Sequence, residues 1–178
     1  MSRRPNRAAG NAMTEQDIFA LNRHWPYRLH VLATLVSQTV ATLYADRFSI
    51  TIPEWRIIAV LGGLDEDEAL SGTAISALTA IDRVQVSRAM ARLLDADLIV
   101  RGTGQTDRRT ARVSLTPKGR TVYQQIVPLA RAFEAQLMTA LAPAERETLD
   151  RLVSRLQAQA EAIAALPKEE IAALIGTD

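Results

Sequence analysis

Between Asp82 and Pro117 the hydrophobic period of the chain changes twice, and few folds accommodate that order. From Arg83 to about Ala96, Val86, Met90, Leu93 and Leu94 recur at the spacing of one helix face, leaving Gln85, Ser87, Arg88 and Arg92 off it. Asp82 stands where a carboxylate can accept from the unpaired amides of that helix's first turn. Two alternating runs follow, Leu98–Arg101 and Ala111–Leu115, with turn formers between them, which is the pattern of an antiparallel hairpin. Thr116-Pro117 restores the helical period with a threonine N-cap and a first-turn proline. Upstream, Thr73–Ile81 reads as a short helix with Ile75 and Leu78 inward. Helix, turn, helix, hairpin is the order of a winged helix-turn-helix.

The flanks are helical. Thr14-Glu15-Gln16-Asp17 has the form of a capping box, opening a short helix that ends near Asn22. Pro26 suits the first turn of a long amphipathic helix to about Arg47, with Leu29, Leu32, Leu35, Val36, Val40, Leu43 and Tyr44 on its apolar face. Pro53 starts another, with Trp55, Ile58, Ala59 and Leu61 inward and Gly62-Gly63 as its stop. The acids Asp65–Glu68 read as a solvated connection, since they lack the alternating ligands and glycine of a calcium loop. Beyond the hairpin one helix runs to about Leu141, with Pro128 as the place for a bend. A second runs from Pro143 to about Leu166, before a short helical tail. The long helices need each other, or a partner chain, to cover their apolar stripes.

Composition narrows the chemistry. The chain has no cysteine and two histidines, His24 and His30, so thiolate chemistry is excluded and a histidine-built metal site is not expected. It lacks a glycine-rich phosphate loop, a Gly-x-Ser-x-Gly elbow and a metal-ligand cluster, so neither an enzyme nor a cofactor is predicted. No apolar run is long enough to span a bilayer, and the basic leader, residues 1–13, lacks the apolar core of a secretory signal. A disordered leader on a cytoplasmic protein, without a membrane partner, is the expectation. Net charge is only +1, but nine basic residues stand against three acids between Arg83 and Arg120. That segment carries +6 and the remainder −5, and a local patch matters more to a polyanion than the sum does.

The stretch between the two alternating runs holds Asp107-Arg108-Arg109. When the second helix of a helix-turn-helix lies in the major groove, the hairpin beside it can reach phosphates or the adjacent minor groove. Arginine, planar and permanently charged, suits that narrow negative groove, and a carboxylate two residues away can hold its guanidinium in place. Asp107 is thereby expected to position Arg109.

Ile81–Arg101 followed by Thr106–Arg120 resembles the MarR family of winged-helix transcriptional regulators. The residues that carry the likeness are Val86-Ser87-Arg88, Asp107-Arg108-Arg109 and the run Val113-Ser114-Leu115-Thr116-Pro117-Lys118-Gly119. One departure is Asp97, where the family usually has glycine; aspartate tolerates a left-handed conformation at modest cost. The resemblance implies a mainly α fold with a small antiparallel β-hairpin wing. Its divisions are N-terminal dimerisation helices over 14–52, a winged helix-turn-helix over 53–116 and C-terminal dimerisation helices over 117–178.

It further implies a homodimer on a pseudo-palindromic operator of double-stranded DNA, acting as a repressor that a small aromatic or anionic effector releases. Gln85, Ser87 and Arg88 should then face base edges or phosphates, since arginine can take guanine and glutamine adenine. Arg83 and Arg92 should meet phosphates. Val86 is counted with the contacting residues although it also lies on the apolar stripe. For the effector, Trp25, Tyr27, Arg28, His30, Trp55 and Arg56 supply aromatic walls with cations and an imidazole. The alternative is an architectural DNA-binding protein indifferent to sequence.

Overall fold

Each helix of the helix-turn-helix order starts on a cap that the sequence supplies. The structure is a computed structural model, and it describes residues 20–66, 68–103 and 111–176. Helices α1 (Trp25–Thr42) and α2 (Ala45–Phe48) lead to α3 (Ile52–Gly62), which opens on a capping box. There the Thr51 amide donates to Glu54 Oε2 at 2.6 Å. Strand β1 (Leu70–Ser71) runs into α4 (Gly72–Thr79), where Ser71 Oγ accepts from the Ala74 amide at 3.2 Å. Helix α5 (Arg83–Asp95) is capped by Asp82 Oδ1, which accepts from the Val84 and Gln85 amides at 2.9 Å each.

The hairpin follows. Strands β2 (Ile99–Thr103) and β3 (Ala111–Leu115) pair antiparallel, with Ile99 opposite Leu115 and Arg101 opposite Val113. β1 pairs with the other edge of β3, giving the order β1-β3-β2. This third strand is only two residues long, too short to show a period in the sequence. The turn from α5 into β2 uses Asp97 at φ 57°, the left-handed conformation expected of it. The expected threonine cap also forms. Thr116 Oγ1 accepts from the Gly119 amide at 3.0 Å and donates to the Asp97 carbonyl at 2.7 Å, tying the start of α6 (Pro117–Leu137) to the turn.

Two compact units result, Met1–Ile126 and Val127–Asp178. In the first, Ile57, Ile58, Ile75, Val86, Leu93, Ile99, Val113 and Ile126 are almost wholly buried together. Burial of side chains of this size stabilises by about 1.5–3 kcal/mol each before the cost of ordering them. Two glycines allow the close approach. A Cβ at Gly119 would lie 1.9 Å from the Leu98 carbonyl oxygen, and one at Gly62 would lie 2.4 Å from the Tyr123 ring. The second unit holds the end of α6, a 3-10 turn (Met138–Ala140), α7 (Pro143–Ala164) and α8 (Lys168–Ile175). Neither α7 nor α8 buries any residue within the single chain.

Three sequence expectations are corrected. The long first helix stops at Thr42, because the chain turns at Leu43 to bury Tyr44, which is 1% exposed. Burial pushes the Tyr44 phenol up to about 12, partly offset by the Arg56 charge, so it packs as a neutral group. Leu78 is 63% exposed rather than inward; α4 buries Ile75 and Thr79 instead, and Thr79 donates its hydroxyl proton to the Ile75 carbonyl. Helix α6, with Pro128 inside it, ends at Leu137 and passes into a 3-10 turn, Met138–Ala140, short of the expected Leu141. The expected helix from Thr14 lies outside the described residues up to position 19, and Leu21–Arg23 form a 3-10 turn.

Candidate nucleic-acid interface

Helix α5 has two faces. Val86, Ala89 and Leu93 point into the core, while Arg83, Val84, Gln85, Ser87, Arg88 and Arg92 are exposed. Val86 is therefore corrected. At 2% exposure it anchors the helix and has no surface to offer a base. Val84 takes its place as the apolar group on the outer face, 60% exposed. Sequence reasoning passed over it, yet it lies two residues, or about 200° of helix, from the buried Val86.

The exposed start of this helix is rigidly held. With Asp82 closing the first turn, Arg83, Val84 and Gln85 have fixed backbone positions, and the β-branched Val84 has essentially one side-chain rotamer there. Arg92, two turns on, donates from Nε to Glu54 Oε1 of α3. The Glu54 side chain is 5% exposed and that of Arg92 57%. Burial alone would raise the Glu54 carboxyl, but hydrogen bonds from Arg92 and Thr51 outweigh it and hold the pKa below the ordinary value.

Two of the nine basic residues counted in this segment serve the scaffold. Lys118 Nζ donates to the Ala96 carbonyl at 2.7 Å, closing the C-terminal end of α5. Arg120 donates to the Gly62 carbonyl at 3.2 Å, doing the same for α3. Arg101 and Arg112 are exposed on the hairpin strands, with Arg112 reaching the Ala69 carbonyl at 3.4 Å. Asp107, Arg108 and Arg109 lie outside the described residues.

A cleft of about 630 Å³ opens beside the start of α5. Its walls include His30, Thr34, Ser37, Arg56, Asp82 and Gln85. Arg56 donates to Ser37 Oγ at 3.2 Å, which holds the guanidinium at the α1 wall. Of the six residues expected to hold an effector, the cleft takes in His30 and Arg56 only. Trp55 packs instead between Tyr44 and Tyr123, with ring centroids 5.7 and 6.4 Å away. Trp25 and Tyr27 are exposed at the start of α1, with the Arg28 guanidinium 4.2 Å from the Trp25 ring. Thr34, Ser37, Asp82 and Gln85 were not foreseen as cleft residues, because only the packing of α1 near the start of α5 brings these distant segments together. Among the described residues no cluster of acids and histidines could hold a metal, and no helix is long and apolar enough to cross a membrane.

The model of the MarR family matches residues 48–110, from the end of α2 into the wing. The structure is similar to that of a MarR/EmrR family transcriptional regulator from Acinetobacter sp. ADP1, at 28% identity and a TM-score of 0.72, covering 81% of this chain and 99% of that one. Over its helix-turn-helix region the chain is thus similar to MarR-family regulators. A curated relative, the putative transcriptional regulatory protein for the hcr operon of Thauera aromatica, is 29% identical over 103 residues. That match spans 58% of this chain and only 62% of the relative's length. Bordetella bronchiseptica BpsR, whose DNA binding is regulated by 6-hydroxynicotinic acid, shares the fold at 23% identity. Its TM-score is 0.67, covering 79% of this chain and 97% of its own.

Proposed function

We propose that this chain is a MarR-type regulator: a dimeric, sequence-specific DNA-binding transcriptional regulator, a repressor that a small aromatic or anionic effector releases from its operator. The observation that carries the reading is the outer face of α5. A capped helix start presents Arg83, Val84, Gln85, Ser87 and Arg88 clear of the core. The residues at the start of a recognition helix read base edges in the major groove. Their mixture of types suits direct readout. Arginine can take guanine bidentately, glutamine can take adenine, and the Val84 methyls can meet a thymine methyl. A binder indifferent to sequence would need little beyond lysine and arginine. Asp107 positioning Arg109, with Arg108 beside it, extends the contact to the minor groove.

The dimer follows from what the protomer leaves uncovered. Leu149, Leu152, Val153 and Leu156 recur along one face of α7 and are 39–61% exposed, and Leu29, Leu32 and Leu35 of α1 are equally uncovered. A second copy is the partner that would bury such stripes, and two copies present two α5 helices to half-sites about one helical turn apart. The effector belongs in the cleft. Arg56 supplies a cation for a carboxylate, and the aromatic acid that regulates the Bordetella relative has that chemistry. An occupant would lie against Asp82 and Gln85, at the start of the recognition helix. Favouring a state with the wrong half-site spacing by a few kcal/mol would be enough to empty the operator.

The test is selection of binding sites from random duplex DNA with the wild type, Arg88→Ala and Arg109→Ala. An enriched pseudo-palindrome weakened by both substitutions supports the reading. Salt-sensitive binding without enrichment favours an architectural protein, and no binding at all rejects both. If each protomer neutralises three or four phosphates, the log–log salt slope of the dimer is roughly −5 to −7.

A further inference from the structure

Glu54 is a carboxylate in the wrong place for a protein that binds a polyanion. It sits beside the recognition helix and is nearly inaccessible to water. The capping box explains only half of it. Closing the first turn of α3 takes one acceptor oxygen, Oε2 on the Thr51 amide, and a glutamine would serve there as well as a glutamate. The charge is explained by the other oxygen, which accepts from Arg92 Nε across 38 positions of sequence.

That contact leaves Arg92 in a particular state. Its Nε is engaged by a buried, immobile carboxylate, while more than half of the side chain remains in solvent. Guanidinium offers five donors in a rigid plane, so engaging one edge fixes the direction of the others without using them up. A free arginine on a helix surface loses rotamer entropy when it closes on a phosphate; one already clamped has lost much of it on folding. The pair is also close to neutral before DNA arrives, so the acid does not repel the backbone it helps to hold.

We infer that Glu54 is a positioning residue for DNA binding: it clamps Arg92 of the recognition helix through Nε, so that the terminal amino groups of the guanidinium are presented to a backbone phosphate. The inference rests on the proposed DNA-binding function and adds to it a residue that touches no DNA. Two properties separate it from a purely structural ion pair. Removing an acid from a DNA-binding face tightens binding if charge alone matters, whereas removing a clamp weakens it. Lysine at position 92 keeps the charge, but its single ammonium serves either Glu54 or a phosphate, and it lacks the fork that serves both.

The experiment measures affinity and salt slope for the full-length wild type, Glu54→Gln, Arg92→Ala, Arg92→Lys and the Glu54→Gln/Arg92→Ala double variant, with folding checked by circular dichroism. The probe is the duplex recovered by selection or, where none is enriched, random-sequence duplex. Arg92→Ala should weaken binding roughly tenfold or more and flatten the dimer's salt slope by about 2, one phosphate in each half-site. Glu54→Gln should weaken binding in the same direction and add nothing in the Arg92→Ala background, and Arg92→Lys should behave like Arg92→Ala. Glu54→Gln that folds and binds as tightly as wild type or tighter overturns the inference, as does an equal loss with and without Arg92. Should Glu54→Gln fail to fold, the exposed position 92 decides alone: wild-type affinity in Arg92→Lys or an unchanged slope in Arg92→Ala overturns it. A wild type that binds no DNA rejects the functional reading itself, and this inference with it.

Discussion

Gly119 follows Thr116-Pro117-Lys118 at the foot of the wing, and its α-hydrogen faces the backbone of Leu98. A methyl group there would sit 1.9 Å from a carbonyl oxygen that itself accepts from the Thr116 amide, so neither side can yield without undoing the junction of wing and α6. Gly119→Ala should therefore cost more than about 3 kcal/mol in denaturant unfolding, or prevent folding. Gly102→Ala, with nothing within 4 Å of the added carbon, should lie within about 0.5 kcal/mol of wild type. Glu54 gives the pH dependence. Its folded pKa is held below the ordinary 4.5, so the stability it contributes is present above that value and is lost as pH falls below it. The stability gap between wild type and Glu54→Gln should accordingly be widest near neutrality and shrink below about pH 4.5, as followed by chemical denaturation at stepped pH. A gap that widened on acidification would mean that Glu54 is not ionised in the native state.

For the elements, local chemistry was legible wherever one residue acts on its own neighbours. Asp82, Thr116 and Asp97 all do what their positions in the sequence suggested, because a cap or a left-handed turn is settled within a few residues. Asp82→Ala should cost about 1 kcal/mol of stability in thermal or denaturant unfolding, while Asp82→Asn, which caps equally well, should cost little. Equal losses in both would transfer the role from the hydrogen bonds to the charge. What misled was extrapolation of a period. Leu43 and Tyr44 continue the apolar spacing of α1, yet the helix ends because Tyr44 is worth more packed against Trp55 than lined up along the helix. Leu78 has the spacing of a buried residue, but α4 turns the face of Ile75 and Thr79 to the core, and Leu78, about 100° of helix from Thr79, is left in solvent. Val84 was missed for the opposite reason, as an apolar residue that the period itself assigns to the outer face.

On the scale of the whole molecule, α1 and α7 each leave a row of apolar side chains exposed, which the proposed dimer would cover. Leu156, 61% exposed at the end of the α7 stripe, is the position from which to test the proposed dimer. Leu156→Glu should shift the protein towards monomers in sedimentation equilibrium and lose most of its affinity for a two-half-site duplex, with α5 and its caps intact. A dimer that survived this change would have its interface elsewhere.

The helix, turn, helix, hairpin order, the capped recognition helix and the clustering of positive charge were determined by the sequence alone, because each depends on periodicity or on neighbours within a turn. The tertiary structure decided which side chains meet across long separations. It set Glu54 against Arg92, gave Lys118 and Arg120 to the carbonyl ends of two helices, and drew Arg56, Asp82 and Gln85 around one cleft. The physical reason is the same in each case. A charged side chain finds its partner only after the apolar faces have packed, and that packing is a property of the assembled core that no local window contains.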